Sequence, residues 1–364
     1  MRPRPVTLGD VAREAGVSRS TASEALSGRG RMTESTRLAV RDTAVRLGYR
    51  PNALAQSLRT GRTGAIALHH QHAADSFSSQ YFREFVAGAM DVTSARDHDL
   101  TLLASDPTTP RATLPRVDGV IIADPIADDV RALELLTSGI PVVAGERYPP
   151  GMPTSPVVGV HHEQALRDVL DHVHGLGVRR PALVGPDAHS GWGVVLRETV
   201  DDWSAERGLV TAHRTIAFAS GFTTSHEDLV GELLDAEPGV DLLLVPSEAV
   251  ALGAIAALRA RSSEPGRDVL VVSCADAQML GLTDPPVTAI DLGPRALGAA
   301  CARALLSVVE DDAELPPLTL IPATLSLRAS TELRASTAGG ASTELPGSTE
   351  PRRSADLRRD AVRA

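Results

Sequence analysis

The chain contains no lysine, only two cysteines and few aromatic residues, which make up 3% of it. The missing lysine leaves arginine as the sole permanent cation, a compositional bias rather than a chemical device. With only Cys274 and Cys301 present, a disulfide framework or a CxxC metal site is excluded. So few aromatics put the apolar mass on Ala, Val and Leu. That suits helices laid on a buried sheet better than an aromatic-rich sandwich. No run approaches the ~20 apolar residues needed to span a membrane. The opening Met1-Arg2-Pro3-Arg4-Pro5 lacks the apolar stretch of a secretory signal, so a cytoplasmic protein is expected. Walker, HExxH and GxSxG patterns are also missing, and no ordering of Ser, His and Asp signals a triad. No enzymatic, cofactor or metal-dependent role is therefore expected.

What is present is a long chain, 364 residues with 43% hydrophobic content, enough for two or three domains with real cores. Its net charge of −10 by itself argues against a nucleic-acid partner. The distribution of that charge argues the other way. Residues 1–63 hold twelve arginines against five acidic side chains, a surplus of +7, which leaves −17 on the remainder. A basic head on an acidic body is the footprint of a DNA-binding domain joined to something that does not touch DNA.

In the head, Thr7-Leu8-Gly9-Asp10 has the form of a capping box and opens a helix from about Leu8 to Ala15. Gly16 permits a tight turn, and Ser18 caps a second helix from Arg19 to Leu26. Two short helices joined by Ala15-Gly16-Val17-Ser18 make a helix-turn-helix, whose second helix would enter the major groove N-terminus first. Thr33 caps a third helix, Glu34 to Leu47, expected to turn Leu38, Ala39, Val45 and Leu47 toward the core and to end at Gly48. An ordinary three-helix bundle fits the same pattern; the local charge favours DNA.

Two runs carry a family resemblance: Val6-Thr7-Leu8-Gly9-Asp10-Val11-Ala12-Arg13-Glu14-Ala15-Gly16-Val17-Ser18, and Leu47-Gly48-Tyr49-Arg50-Pro51-Asn52-Ala53-Leu54-Ala55-Gln56-Ser57-Leu58-Arg59. Both resemble regulators of the lactose/galactose-repressor (LacI/GalR) family, and the likeness continues more loosely to about Thr331. The resemblance implies that Arg19, Ser20 and Glu24 face base edges and that Thr7, Ser18, Thr21, Ser23 and Arg31 lie at the DNA surface. It also implies that a short hinge helix opened by Pro51 and Asn52, with Ala55 and Gln56, presses Leu58 into the minor groove as an apolar wedge. That helix is shorter than the ~12 residues an isolated helix needs, so it should order only on DNA and against its dimer mate. Glu24 departs from the Arg common there. A carboxylate cannot donate to guanine but accepts from cytosine N4, so Glu24 is expected to change the half-site; the alternative is that it only pairs with a nearby Arg.

Beyond the head, short apolar runs alternate with helical stretches. Strands are read at Ala65–Leu68, Leu100–Ala104, Val117–Ala123, Pro141–Ala144, Val157–Val160, Pro181–Val184, Asp241–Val245 and Val269–Ser273. Continuous apolar strands separated by helices mean parallel sheet covered on both faces, and so many units need two lobes. The expected fold is a helix-turn-helix head (1–50), a hinge helix and linker (51–63), and an α/β two-lobed core of the periplasmic-binding-protein kind (64–330). Lobe one is read as about 64–160 and 292–320, and lobe two as about 161–291 and 321–330. A low-complexity tail at 331–364 repeats Ala-Ser-Thr-Glu-Leu fragments and is expected to be disordered.

The resemblance places an effector in the cleft outside the strand carboxyl ends. It implies contacts from His72, Tyr81, Phe82, Arg147, His161, Arg197, Phe222, Glu248 and Asp276. Several positions break the pattern: His161 and His162 replace Asp and Asn, Ser247-Glu248 replaces Asn-Asp, and Ala275 and Leu292 stand where Asp and Gln are usual. Those losses make a hydrophobic or anionic effector as plausible as a simple sugar, and an empty, degenerate pocket is also open. The histidines could form a metal or proton-sensing cluster, against the ordinary reading of loop histidines. The expected whole is a homodimeric regulator, by analogy a repressor, on a palindromic operator. The alternative is a small-molecule-binding protein with nonspecific DNA affinity.

Overall fold

A computed structural model describes residue 4 and residues 6–28, 30–50, 61–71, 73–103, 113–216 and 225–332. The head is three helices, α1 (Leu8–Glu14), α2 (Arg19–Leu26) and α3 (Glu34–Leu47). Each starts on a hydroxyl cap. Thr7 and Asp10 exchange hydrogen bonds in a full capping box, Ser18 accepts from the Thr21 N–H, and Thr33 accepts from the Thr36 N–H. Gly16 turns the chain between α1 and α2 at φ +67°, where a side chain would be strained. The core is small-residue packing: Val11, Ala12, Ala22, Ala25, Val40 and Ala44 are buried together.

Helix α3 is rotated from the expected phase. Val40, Thr43 and Ala44 face the core, with Leu47 packed beside them, while Leu38, Ala39 and Val45 are exposed. Residues 40, 43, 44 and 47 form one 3.6-period stripe. The polar Thr43 within it hides that stripe from a reading based on apolar side chains.

The body consists of two six-stranded sheets. Lobe one holds β1 (Ala65–His69), β2 (Asp99–Leu102), β3 (Gly119–Ala123), β4 (Val142–Gly145), β5 (Val157–Val160) and β11 (Leu318–Ile321), in the spatial order β11-β5-β4-β3-β1-β2 and all parallel. Its helices are the short α4 (Ala73–Ser76), α5 (Gln80–Ala95), α6 (Val130–Leu136) and α11 (Pro294–Asp311). Lobe two holds β6 (Pro181–Pro186), β7 (Ala212–Ile216), β8 (Leu242–Val245), β9 (Leu270–Ser273), β10 (Thr288–Asp291) and β12 (Thr324–Ser326), in the order β12-β10-β9-β8-β6-β7. There β12 runs antiparallel to β10. Its helices are α7 (His162–Gly175), α8 (Gly191–Glu206), α9 (His226–Ala236) and α10 (Glu248–Ala260), with a 3-10 turn at Gln278–Gly281. The chain passes between lobes after β5, after β10 and after β11.

The central strands are apolar along their whole length because helices cover both faces; every residue of β3, β5, β8 and β9 is buried. Lobe one is tightened by backbone-to-backbone contact of α5 with α11. A Cβ on Gly88 would lie 1.9 Å from the Arg295 carbonyl oxygen, and one on Gly298 would lie 2.0 Å from that of Phe85. The chain remains packed to its last described residues: Ser330 and Thr331 are wholly buried, and the Ser330 hydroxyl donates to the Val271 carbonyl. Thr331, expected to begin the tail, thus lies in lobe two; the rest of the tail from 333 onward is outside the described residues.

Candidate nucleic-acid interface and inter-lobe cleft

On α2 the exposed face carries Arg19, Ser20 and Glu24, with Thr21 and Ser23 half-buried beside them. Ser18, at the exposed N-terminus of α2, shares its hydroxyl with Ser20 and Thr21 at 2.7 and 2.8 Å. Four head arginines, Arg4, Arg13, Arg37 and Arg46, are held by head carboxylates. Arg19, Arg31, Arg41 and Arg50 are exposed and make no ion pair among the described residues. Arg19 stands on the first turn of α2, where a guanidinium beside a helix N-terminus suits a phosphate backbone.

Glu24 makes no ion pair among the described residues, so the pairing alternative finds no support there. Its carboxylate folds over Gly30, whose φ is +86°; a Cβ on Gly30 would come within 2.4 Å of Glu24 Oε2. Thr7, like Ser18, caps its helix at the surface. Asn52, Ala55, Gln56 and Leu58 lie outside the described residues. Just after them the linker is clamped to lobe one. Asp118 accepts from the Thr63 N–H at 2.6 Å, the Thr63 hydroxyl at 3.0 Å and the Gly64 N–H at 2.8 Å. Asp118 immediately precedes β3, so the linker is tied to a central strand of lobe one. Sequence reading gave it no role, because a lone Asp before a strand carries no local signature.

The lobes touch across the cleft. The Ala127 N–H donates to the His189 carbonyl at 2.7 Å, and the Gln278 N–H donates to Gln80 Oε1 at 2.9 Å. The bare Cα of Gly191 lets the Arg147 carbonyl of lobe one approach the start of α8.

At the carboxyl ends of the lobe-one strands sits a buried polar cluster. Tyr81, on the first turn of α5, hydrogen-bonds Asp124, which follows β3. His70 Nε2 lies 3.9 Å from Asp124 Oδ2, and its ring packs on Phe82 with centroids 4.8 Å apart. Glu146, at the end of β4 and only 3% exposed, holds its Oε2 2.9 Å from His162 Nε2. Burial, reinforced by the neighbouring charge of Glu146, pushes the Asp124 carboxyl well above the usual range. Burial, and then the charges of Asp124 and Glu146, does the same to the Tyr81 phenol. Beside them His69 Nε2 meets Asp129 at 2.8 Å; burial opposes ionisation of Asp129, but the bond and charge of His69 with two backbone N–H groups leave its pKa lowered.

The expected effector residues distribute unevenly around this cluster. Tyr81 belongs to it, and Phe82 forms its apolar floor. Arg147 is at its edge but is engaged by Glu163 at 2.9 Å. His161 is exposed; its neighbour His162 is the buried imidazole. Arg197 donates to Thr215 at 3.1 Å, and Glu248 opens α10 half-buried. Asp276 is gripped by both terminal nitrogens of Arg328, at 2.9 and 2.7 Å. It lines a cavity of about 1160 Å³ between α5 and α11 that also takes in Asp291 at the end of β10. His72 and Phe222 are outside the described residues. Asp124 and Glu146 were missed in sequence, although both follow apolar strands; the residue after a parallel strand was the available signal.

Comparison with known proteins agrees with both halves of this structure. Residues 7–52 match the model for bacterial regulatory proteins of the lacI family, and residues 170–331 match a periplasmic binding protein-like domain. The transcriptional regulator AglR of Rhizobium meliloti is 30% identical over 337 residues, covering 89% of this chain and 94% of that protein. The regulator CelR of Thermobifida fusca is 27% identical, covering 90% and 98%. Among solved structures, a lac repressor dimer bound to operator and the anti-inducer ONPF aligns at a TM-score of 0.75 with 23% identity, over 90% of this chain and 99% of that one. A CelR–cellobiose complex aligns at 0.64 with 24% identity, over 90% and 100%. With a capped helix-turn-helix, a two-lobed body and a 30% identical relative matched over nearly its whole length, the chain belongs to the lacI family of bacterial regulatory proteins and is a DNA-binding transcription regulator.

Proposed function

We propose that the protein is a cytoplasmic repressor, binding a palindromic operator as a homodimer, whose affinity for DNA is set by a small molecule in the inter-lobe cleft. The observation that carries this reading is the Asp118 clamp. It joins the linker, through Thr63 and Gly64, to the strand whose far end carries Asp124. A ligand that changes the lobe angle therefore acts on the strand to which the linker is tied. That is a two-state coupling between distinct sites. The lac repressor and CelR structures, one with operator and anti-inducer and one with cellobiose, support a DNA partner and a small-molecule partner of this kind.

Each head reads a half-site through Arg19, Ser20 and Glu24, with Thr21 and Ser23 toward phosphate. Asn52, Ala55, Gln56 and Leu58 of the hinge would complete the contact. Selection of bound sequences from a random duplex library, with full-length protein at fixed salt, tests the reading. The expected result is an enriched palindrome. In the same selection Glu24→Arg changes the preferred bases by roughly 1–3 kcal/mol of discrimination at one position of each half-site. An unchanged palindrome with Glu24→Arg removes the base-reading role of Glu24. Salt-sensitive binding with no enriched sequence, with and without ligands added, would replace the whole reading with nonspecific DNA affinity.

A further inference from the structure

The cleft cluster holds a buried acceptor that the effector reading leaves unused. Glu146 is 3% exposed, yet its Oε1 has no hydrogen-bond partner among the described residues. Its other oxygen is near His162 Nε2, but that contact is not aligned as a hydrogen bond. A desolvated carboxylate oxygen without a donor is costly and has room for one. Burial and then the charge of Glu146 hold the Asp124 carboxyl well above its usual range, while Tyr81 hydrogen-bonds it and His70 Nε2 lies 3.9 Å from it. Arg147, which follows Glu146 in the chain, is engaged by Glu163 at 2.9 Å. An anionic ligand would meet the carboxyl groups of Glu146 and Asp124, with the neighbouring guanidinium of Arg147 already engaged.

We propose that the effector carries a protonated amine, seated between Glu146 Oε1 and Asp124. An ammonium group has three donors and one positive charge, so it satisfies the orphaned oxygen and relieves the repulsion between the two acids together. A hydroxyl supplies one donor and leaves the repulsion. The carbon skeleton of the ligand lies toward Tyr81 and toward Trp192 of lobe two, whose ring is 6.2 Å from that of His162. His162 and Trp192 both belong to lobe two, and His162 in turn reaches Glu146 of lobe one at 2.9 Å, so Trp192 reports occupancy through that imidazole. The inference rests on the cleft being the effector site and narrows the ligand to cationic amines.

The test is a titration of full-length protein with two matched pairs at equal ionic strength: glucosamine hydrochloride against glucose, and ethylammonium chloride against ethanol. Tryptophan fluorescence and Tm are followed. Saturable change is expected with the amine of each pair at roughly tenfold lower concentration than with its neutral twin. Glu146→Gln, nearly isosteric, should abolish that preference, and Asp124→Asn should reduce it; the Tm of each unliganded variant shows that it has folded. Equal response to both members of a pair, or an amine preference that survives in Glu146→Gln, overturns the proposal. If glucose alone binds and releases the operator, the amine inference falls while the effector reading stands. If no probe, charged or neutral, perturbs fluorescence or releases the operator, both fall.

Discussion

Head and body solve the same problem with different materials. The head buries only small side chains, Val11, Ala12, Ala22, Ala25, Val40 and Ala44, with no aromatic among them. Its polar groups are directed at its own helix ends, one hydroxyl cap for each helix. The body buries Trp203, Phe82 and Phe85 completely, brings backbones into contact through glycine, and encloses carboxylates. The difference follows from what each part must present. A DNA-reading surface needs exposed, unpaired guanidinium groups, and a domain this small cannot also hide charge. A cleft that recognises a small molecule needs desolvated polar groups, and only a large core can hold them away from water.

The largest effect that would test this contrast lies in the body. Gly298→Val places side-chain carbon where the Phe85 carbonyl now sits, 2.0 Å from the position of a Cβ. Because the obstacle is backbone, α5 and α11 must separate, and the loss of stability should reach about 3 kcal/mol. Hydrogen exchange should show protection lost in both helices and unchanged in α1 to α3. Equal loss in the head would mean that the two parts unfold as one unit and that the contrast is false.

In the head the corresponding change is smaller. Ser18→Ala removes the acceptor for the Thr21 N–H and should cost about 1 kcal/mol of head stability. Because Ser18 also positions the hydroxyls of Ser20 and Thr21, operator affinity measured by anisotropy should fall further than the loss of the cap alone requires. Ser18→Asp restores a cap but adds negative charge beside phosphate. It should recover thermal stability without recovering affinity. Recovery of both would show that Ser18 acts only as a cap.

The same contrast governs what could be read from the sequence. Caps are local, and Thr7, Ser18, Thr33 and Gly48 fall where the sequence places them. Buried apolar strands such as Val157–Val160 and Leu242–Val245 are legible because both faces are covered. The edge strand Ala212–Ile216 was not, since its His213, Arg214 and Thr215 face outward or lie only partly covered. In the cleft, Tyr81 was legible as an aromatic in a family position. Glu146 and Asp124 were not, because their role depends on burial, on the positive φ each adopts, +84° and +47°, and on each other. Such properties arise only when separate strands are brought side by side.

The smallest effect is also the one that separates the two parts by sign. Hydrogen bonds from the Thr7 hydroxyl and then the Thr7 N–H, helped by Arg4 and Arg13, hold the Asp10 carboxyl down at about 2. Asp124 is displaced the opposite way, by burial and then by the charge of Glu146. A lowered acid contributes stability above its unfolded value, and that contribution is lost as the pH falls through its folded value. For Asp10 the window runs from 3.8 down to about 2. A raised acid favours the folded state fully below its unfolded value of 3.8 and loses that advantage as the pH rises through its higher folded value. Acidification should therefore loosen α1 while relieving the strand end after β3. Hydrogen exchange across this range should show protection falling at the N–H groups of residues 10 and 11 before it falls in β3. Thr7→Val, which removes the hydroxyl donor, should move the head transition to higher pH and leave β3 unmoved. Parallel loss of protection in both regions, or no shift with Thr7→Val, would show that acid acts on the chain as a whole and not through these two carboxyls.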